Sequence, residues 1–258
     1  MLRRIAPALA AVTLLLAACG GAGPALTDPR EIVTQGLEAT AELTSVHLLL
    51  TIDGTASISE LGGGEMSLSG TRLEGDVDIE NQQGHLTFAV PPLMGFTGEV
   101  IQIGGESYMK TSLTGAKWSK SQVSEGDPVA EAMDPTEQLE EVRAFLDEEG
   151  VELEKLDETD CGDRTCYAVR LTIPAAVMAD AAEGTDVDPA LLGDELVLDL
   201  LFDREEMWLA GVSTVVSAES VGELTLTLTL SGFNDPVEVE APPADEVTEG
   251  GGLDGFPF

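Results

Sequence analysis

The period of the apolar positions changes several times along this chain, and each change marks an element. Ile32, Val33, Leu37, Ala41 and Leu43 recur at helical spacing behind Asp28-Pro29, a capping residue followed by proline at the first helical position. This predicts a helix ending near Thr44. From Ser45 the period drops to two: Val46, Leu48, Leu50 and Ile52 alternate with His47, Leu49, Thr51 and Asp53, as in a strand with one buried face. After a Gly62-Gly63-Gly64 turn, Met66 and Leu68 hold even positions, whereas Leu73, Val77 and Ile79 hold odd ones. A phase slip at Gly70 predicts a β-bulge that bends the sheet. Leu86, Phe88 and Val90 form the next strand, and Pro91-Pro92 predicts that this element kinks or lies at an edge. Val100 to Ile103 and Ser107 to Ser112 flank Gly104-Gly105 as a hairpin.

A polar stretch around Ser119 to Asp127 leads to a second helix, opened by Asp134-Pro135, striped by Leu139, Val142, Phe145 and Leu146, and ended by Gly150. Val151 to Leu156 and Tyr167 to Ile173 form a strand pair. Pro174 to Glu183 reads as a short helix before an acidic loop through Asp188. Three strands close the domain: Leu196 to Phe202, Met207 to Val216, and Leu224 to Leu230, in which every second residue is threonine. Pro, Gly and acid dominate from Pro242 onward, so the tail is expected to be disordered. No repeat of 20–50 residues is present. The pattern predicts an α+β fold: a single domain with a large curved antiparallel sheet, a half-barrel, packed on a few helices. The sheet presents more aliphatic side chains than so few helices cover.

Charge removes whole classes of partner. The 258 residues include 48 Asp and Glu against 12 Lys and Arg, a net charge of −36. Such a surface repels nucleic acid and an anionic membrane alike. The first residues run the other way. Arg3 and Arg4 precede an apolar stretch from Ala8 to Ala18, too short to span a bilayer, which takes about 20 residues. That order is the plan of a signal peptide. Its end, Leu16-Ala17-Ala18-Cys19, resembles the bacterial lipobox. The resemblance implies cleavage after Ala18 and acylation of Cys19 by a diacylglycerol and palmitate-type chains, which would hold the protein to a membrane on the extracytoplasmic face.

Two cysteines remain. Cys161-Gly-Asp-Arg-Thr-Cys166 sits between strand-like runs and reads as a hairpin turn closed by a disulfide, in a compartment where disulfides persist. The spacing does not fit a redox CxxC, and no second Cys pair accompanies it for zinc. Enzyme signatures are missing: there is no H-E-x-x-H, G-x-S-x-G or P-loop. His47 and His85 lie on different strands, and His47 is expected on the solvent side or in a local hydrogen bond. Asp76/Asp78 and Glu238/Glu240 read as solvated strand faces rather than calcium ligands. No catalytic residue, metal or cofactor is expected.

Several segments in order resemble the LppX/LprG-type lipoproteins of actinobacteria. They are the strand Ser45-Val46-His47-Leu48-Leu49-Leu50-Thr51-Ile52-Asp53-Gly54, then Gly105-Glu106-Ser107-Tyr108-Met109 with Lys117-Trp118-Ser119, then Asp134-Pro135, and finally Leu224 to Leu230 with Val237-Glu238-Val239 and Pro242-Pro243. The Cys161 and Cys166 pair, the Gly62-Gly64 turn and the Pro91-Pro92 region depart from that pattern. The resemblance implies a LolA-like half-barrel around an apolar cavity and a role in binding acyl lipids or glycolipids and assisting their transfer across the envelope, with a membrane lipid transporter as a possible partner. The expected cavity lining is Leu48, Leu50, Ile52, Leu86, Phe88, Val90, Val169, Leu171, Leu198, Leu200, Leu226 and Leu228. The expected organisation is a signal peptide at 1–18, a lipidated Cys and tether at 19–27, the lipid-binding domain at 28–243 and an acidic tail at 244–258. The alternative is a structural or signalling surface lipoprotein with a collapsed core and no lipid ligand.

Overall fold

Asp28 starts the first helix as its sequence predicts. Its Oδ1 accepts the Arg30 N–H at 2.9 Å, and Pro29 occupies the first turn of α1, Pro29–Ala41. The structure, a computed structural model, describes residues 25–57, 65–113, 115–123, 142–181, 195–218 and 222–249. Helix α1 ends at Ala41, short of Thr44, because a distant residue captures the next free donor. The Thr44 N–H donates to Asn234 Oδ1 at 2.9 Å instead of to a helix carbonyl. The stripe Ile32, Val33 and Leu37 is buried. Gly36 lies beside it, and a Cβ there would come within 2.2 Å of the Phe202 ring. Glycine is what lets the helix press this closely onto the sheet.

The strands in chain order are β1 Ser45–Ser57, β2 Glu65–Ser67, β3 Thr71–Asp78, β4 Gln83–Val90, β5 Phe96–Ile103, β6 Glu106–Thr111 and β7 Trp118–Gln122. They continue as β8 Glu152–Lys155, β9 Thr159–Cys161, β10 Arg164–Pro174, β11 Glu195–Asp203, β12 Leu209–Ala218, β13 Gly222–Ser231 and β14 Val247–Glu249. A short helix, α2 Ala175–Ala181, follows β10. Among the described residues the strands form one large open, curved sheet in the order β14-β7-β6-β5-β4-β3-β1-β13-β12-β11-β10-β8, with β2 beside β1 and β9 beside β10. Every pairing is antiparallel except β14 with β7.

The bulge at Gly70 is present. Thr55 pairs with Ser67 and Ile52 with Thr71, so Asp53 and Gly54 face Leu68, Ser69 and Gly70 across the ladder. One residue is extra, which switches the apolar phase as the sequence requires. Gly104 and Gly105 both take positive φ, 62° and 77°, in the tight hairpin between β5 and β6. The second of the three closing strands starts later than expected: Met207 has a positive φ of 63°, and β12 begins at Leu209.

Two expectations are corrected. Pro91-Pro92 neither kinks β4 nor places it at an edge. β4 ends at Val90 between two full partners, and the prolines open a turn in which the Gly95 N–H donates to the Pro91 carbonyl at 2.9 Å. A residue without an N–H costs nothing outside the ladder. The chain beyond Pro243 is also ordered as far as Glu249. Ala244–Glu246 form a 3₁₀ turn, and β14 pairs with β7. Lys117 Nζ donates to the Asp245 carbonyl at 2.6 Å, and Thr248 Oγ1 donates to the Trp118 carbonyl at 2.9 Å. Val239 and Val247 pack on Ile101, Tyr108 and Trp118. Composition misreads this segment because its partners lie far away in sequence. Of the second helix, residues 142–145 are helical, and Leu146 is buried beside α1; Asp134, Pro135 and Leu139 lie outside the described residues. So do residues 1–18, expected to be a signal peptide, Cys19, the expected Gly62-Gly64 turn, the expected acidic loop through Asp188, and residues 250–258.

Candidate functional site

Cross-strand partners trace one continuous apolar face. Val169 lies opposite Leu200, Leu200 opposite Val212, Val212 opposite Leu228, Leu228 opposite Leu50, Leu50 opposite Leu73, and Leu73 opposite Phe88. A parallel row joins Leu171, Leu198, Thr214, Leu226 and Ile52. Leu48 and Leu86 both face Gly75, and Val90 faces Phe96. Because directly paired residues project to the same side and side chains alternate along each strand, all twelve residues expected to line a cavity share one face. Helix α1 covers part of that same face. Ile32, Val33 and Leu37 belong to one packed cluster with Val169, Leu171, Leu200 and Phe202.

Burial divides the twelve. Val169 and Leu171 are fully buried, and Leu48, Leu86 and Leu200 nearly so. Leu50, Ile52, Phe88, Val90, Leu198, Leu226 and Leu228 are only half-buried. Leu198 packs against the α1 cluster and Leu228 against a second cluster of Val46, Leu48, Val77 and Leu86. Leu50, Ile52, Phe88, Val90 and Leu226 belong to no packed cluster among the described residues. Phe88 meets the Phe96 ring at 5.5 Å and fills the space over Gly98, where a Cβ would come within 2.3 Å of it. These residues form an aliphatic strip with one aromatic end. Such a strip recognises length and apolarity, because each Å² removed from water contributes about 25 cal/mol and no polar group imposes a headgroup.

The opposite face carries the ion pairs and, on β5 to β7, the small Ile101, Tyr108 and Trp118 cluster. His47 Nδ1 meets Asp76 Oδ1 at 2.8 Å, in the local hydrogen bond expected of it, and His85 Nε2 lies 3.8 Å from Glu99. Arg170 holds Asp199 through two bonds of 2.7 and 2.9 Å, and the pair raises the guanidinium's affinity for its proton. Asp78 caps the β3–β4 turn. Burial pushes its carboxyl upward, but bonds from the Asn81 side chain and N–H and from Gln83 outweigh it and hold the carboxyl below its ordinary value. Glu106 is lowered by its bonds from Lys120 and from the Tyr108 hydroxyl. No group of three or more His, Cys, Asp or Glu among the described residues is placed to hold a metal.

Cys161 and Cys166 are joined in a disulfide with Cα atoms 5.9 Å apart, closing the β9–β10 hairpin. Between them Arg164 reaches Asp203, whose side chain is only 3% exposed, at 3.5 Å. The guanidinium lies 5.5 Å from the Trp208 ring and 5.8 Å from Phe233. A cleft of about 530 Å³ runs from this hairpin over Leu201, Ser213, Thr227 and Thr229. The side chains of these four lie on the face opposite the expected lining, while the expected lining residue Leu228 also borders this cleft. The sequence shows no signal for the Arg164 cluster: its members come from three separate segments with no shared period.

No protein-family model matches the chain, and no curated protein matches its sequence. Solved structures do match it. The lipoprotein LppX of Mycobacterium tuberculosis superposes at a TM-score of 0.50 and 18% identity, over 83% of this chain and 100% of that one. LprF of Mycobacterium bovis superposes at a TM-score of 0.54 and 18% identity, over 85% of this chain and 99% of that one. At this identity the likeness establishes the fold: the chain has the LppX and LprF architecture, one domain built on a large open, curved sheet.

Proposed function

We propose that this chain is a lipid-anchored extracytoplasmic carrier that holds the acyl chains of a lipid or glycolipid against the apolar face of its sheet and assists their transfer across the cell envelope. The supporting observation is the strip Leu50, Ile52, Phe88, Val90 and Leu226, aligned on one face and left half-buried outside the packed clusters. An enclosing apolar wall with few polar groups suits acyl chains. The expected lining residues Val169, Leu171 and Leu200 are instead packed against α1. The likeness in fold to LppX, itself a lipoprotein, agrees with the lipobox reading of Cys19. Residues 1–18 are assigned as the signal peptide, 19–27 as the lipidated Cys and its tether, and the lipid-binding domain from residue 28 onward. Anchoring is assigned to acylated Cys19; among the described residues no helix is long and apolar enough to cross a membrane.

The chain from Gly20 onward, purified and examined by native mass spectrometry, is expected to carry lipid in stoichiometric amount. Leu226→Asp is expected to abolish uptake of a fluorescent fatty acid while the circular dichroism stays that of the parent. Repeated recovery of lipid-free protein that takes up no probe sinks the carrier reading and favours a surface lipoprotein without a ligand.

A further inference from the structure

Among the described residues four large apolar side chains are exposed, and three of them share one tip of the sheet. Leu93 is 40% exposed and Met94 97%, in the turn between β4 and β5; Leu113 is 64% exposed, in the turn between β6 and β7. The two turns are joined side by side. The Ser112 N–H donates to the Thr97 carbonyl at 2.8 Å, and the Thr97 N–H donates to Ser112 Oγ at 3.2 Å. Met94 holds a positive φ of 57° at the apex, a conformation that side chains disfavour.

Charge is distributed to match. The chain carries 48 acidic residues, yet residues 82–98 and 107–123 contain none, and the second stretch contains Lys110, Lys117 and Lys120. Just behind the tip, on the polar face, a cleft of about 360 Å³ is bordered by Arg72, Lys110, Thr97 and Ser112. Lys110 pairs with Glu99 at 3.3 Å, whereas Arg72 forms no ion pair among the described residues.

We propose that this tip is a membrane-docking element: Leu93, Met94 and Leu113 enter the interface of a phospholipid bilayer while Arg72 and Lys110 meet the phosphates behind them. Clustered exposed apolar side chains mark interaction sites. A bilayer presents apolar depth beneath a layer of phosphate, and the tip presents aliphatic side chains at its apex with cations set back from it. A protein partner would call for a flatter surface with a polar rim to pair. Over the rest of the molecule the acidic surface repels a bilayer, so the tip, whose two turns contain no acidic residue, is the face that can approach. An acyl anchor on a tether limits the distance of the domain from the membrane but leaves its orientation free, and the tip supplies the orientation. It also adjoins the half-buried strip, since Val90 pairs with Phe96 and Phe96 meets Phe88. This goes beyond the carrier reading and stands or falls separately from it.

The test uses the acylated full-length protein in phosphatidylcholine vesicles, with an environment-sensitive fluorophore on Met94→Cys, Leu113→Cys or, as control, Gln82→Cys in the β3–β4 turn at the opposite end of the strands. Nitroxides on the lipid acyl chains are expected to quench the labels at 94 and 113 and to spare the label at 82. Equal quenching at the three positions, or quenching at 82 alone, overturns the proposal. The double variant M94D/L113D is expected to take up a fluorescent fatty acid from vesicles about tenfold more slowly, a factor worth 1.4 kcal/mol, while binding the same probe from solution as the parent does. Unchanged uptake from vesicles counts against docking. Leu226→Asp separates the two ideas: it is expected to remove binding from solution and to leave the quenching pattern intact.

Discussion

The half of the sheet around β10 and β11 and the half around β1 and β4 are written in the same alternating aliphatic pattern, yet they end in different states. Beneath α1, Val169, Leu171 and Phe202 are fully buried. On the other side of β13, Leu48 and Leu86 are buried in a second cluster, but Leu50, Ile52, Phe88 and Val90 remain half-buried. The strand sequences do not explain the difference. It follows from where α1 lands, and that is set by Gly36 meeting the Phe202 ring and by Thr40 Oγ1 accepting the Leu209 N–H at 2.8 Å. One part of the apolar face is packed beneath α1, and the half-buried strip lies outside that contact, where the proposed ligand would sit.

The sharpest way to break this contrast is to truncate one leucine in each half. Leu171→Ala is expected to cost about 2–5 kcal/mol of unfolding free energy, as core leucines do. Leu226→Ala should cost under about 1 kcal/mol, because a half-exposed side chain loses little burial. Urea titration reads both, and equal costs would remove the distinction between a packed half and a binding half. Gly36→Ala addresses the placement of α1 directly. Its methyl group would intrude on the Phe202 ring, and overpacking of this kind costs about 1–3 kcal/mol; a neutral result would mean that the helix contact is loose. Converting Cys161 and Cys166 to serine is expected to lower stability by roughly 2 kcal/mol through the small loop that the bond closes. It should leave fatty-acid binding intact, since the hairpin borders the polar face.

The smallest effect concerns pH. Because the Asp78 carboxyl is held below its ordinary value, the unfolded chain takes up that proton first as pH falls. The contribution of Asp78 is therefore complete above about pH 4 and is lost as pH drops through its lowered folded-state value. Asp78→Asn is expected to reduce stability by about 1 kcal/mol at pH 7 and to approach the parent as pH falls, which thermal melts across a falling pH series would reveal.

Much of the fold was legible in the sequence because it is encoded locally. The shift to odd positions at Gly70 announced the bulge, Asp28-Pro29 announced the start of α1, and Gly104-Gly105 announced a hairpin. Pro91-Pro92 was misread because proline at the end of a strand and proline inside one look alike until the turn is placed. The segment 244–249 was misread for the opposite reason: its own composition is that of a tail, and Trp118, Tyr108 and Ile101 supply the surface that orders it. The Arg164, Asp203, Trp208 and Phe233 cluster left no trace at all, since chain segments far apart in sequence assemble it.

The sequence by itself determined which residues share a face. Alternation along a strand is a property of the backbone and holds whatever lies nearby, so the twelve residues expected to line a cavity project to one side. Only the tertiary structure decided what that face meets. Burial depends on which distant element comes to rest on each strand. Here the contact of Gly36 with the Phe202 ring and the hydrogen bond from the Leu209 N–H to Thr40 Oγ1 place α1 over β10 and β11, and the strip on β1, β4 and β13 lies beyond its reach.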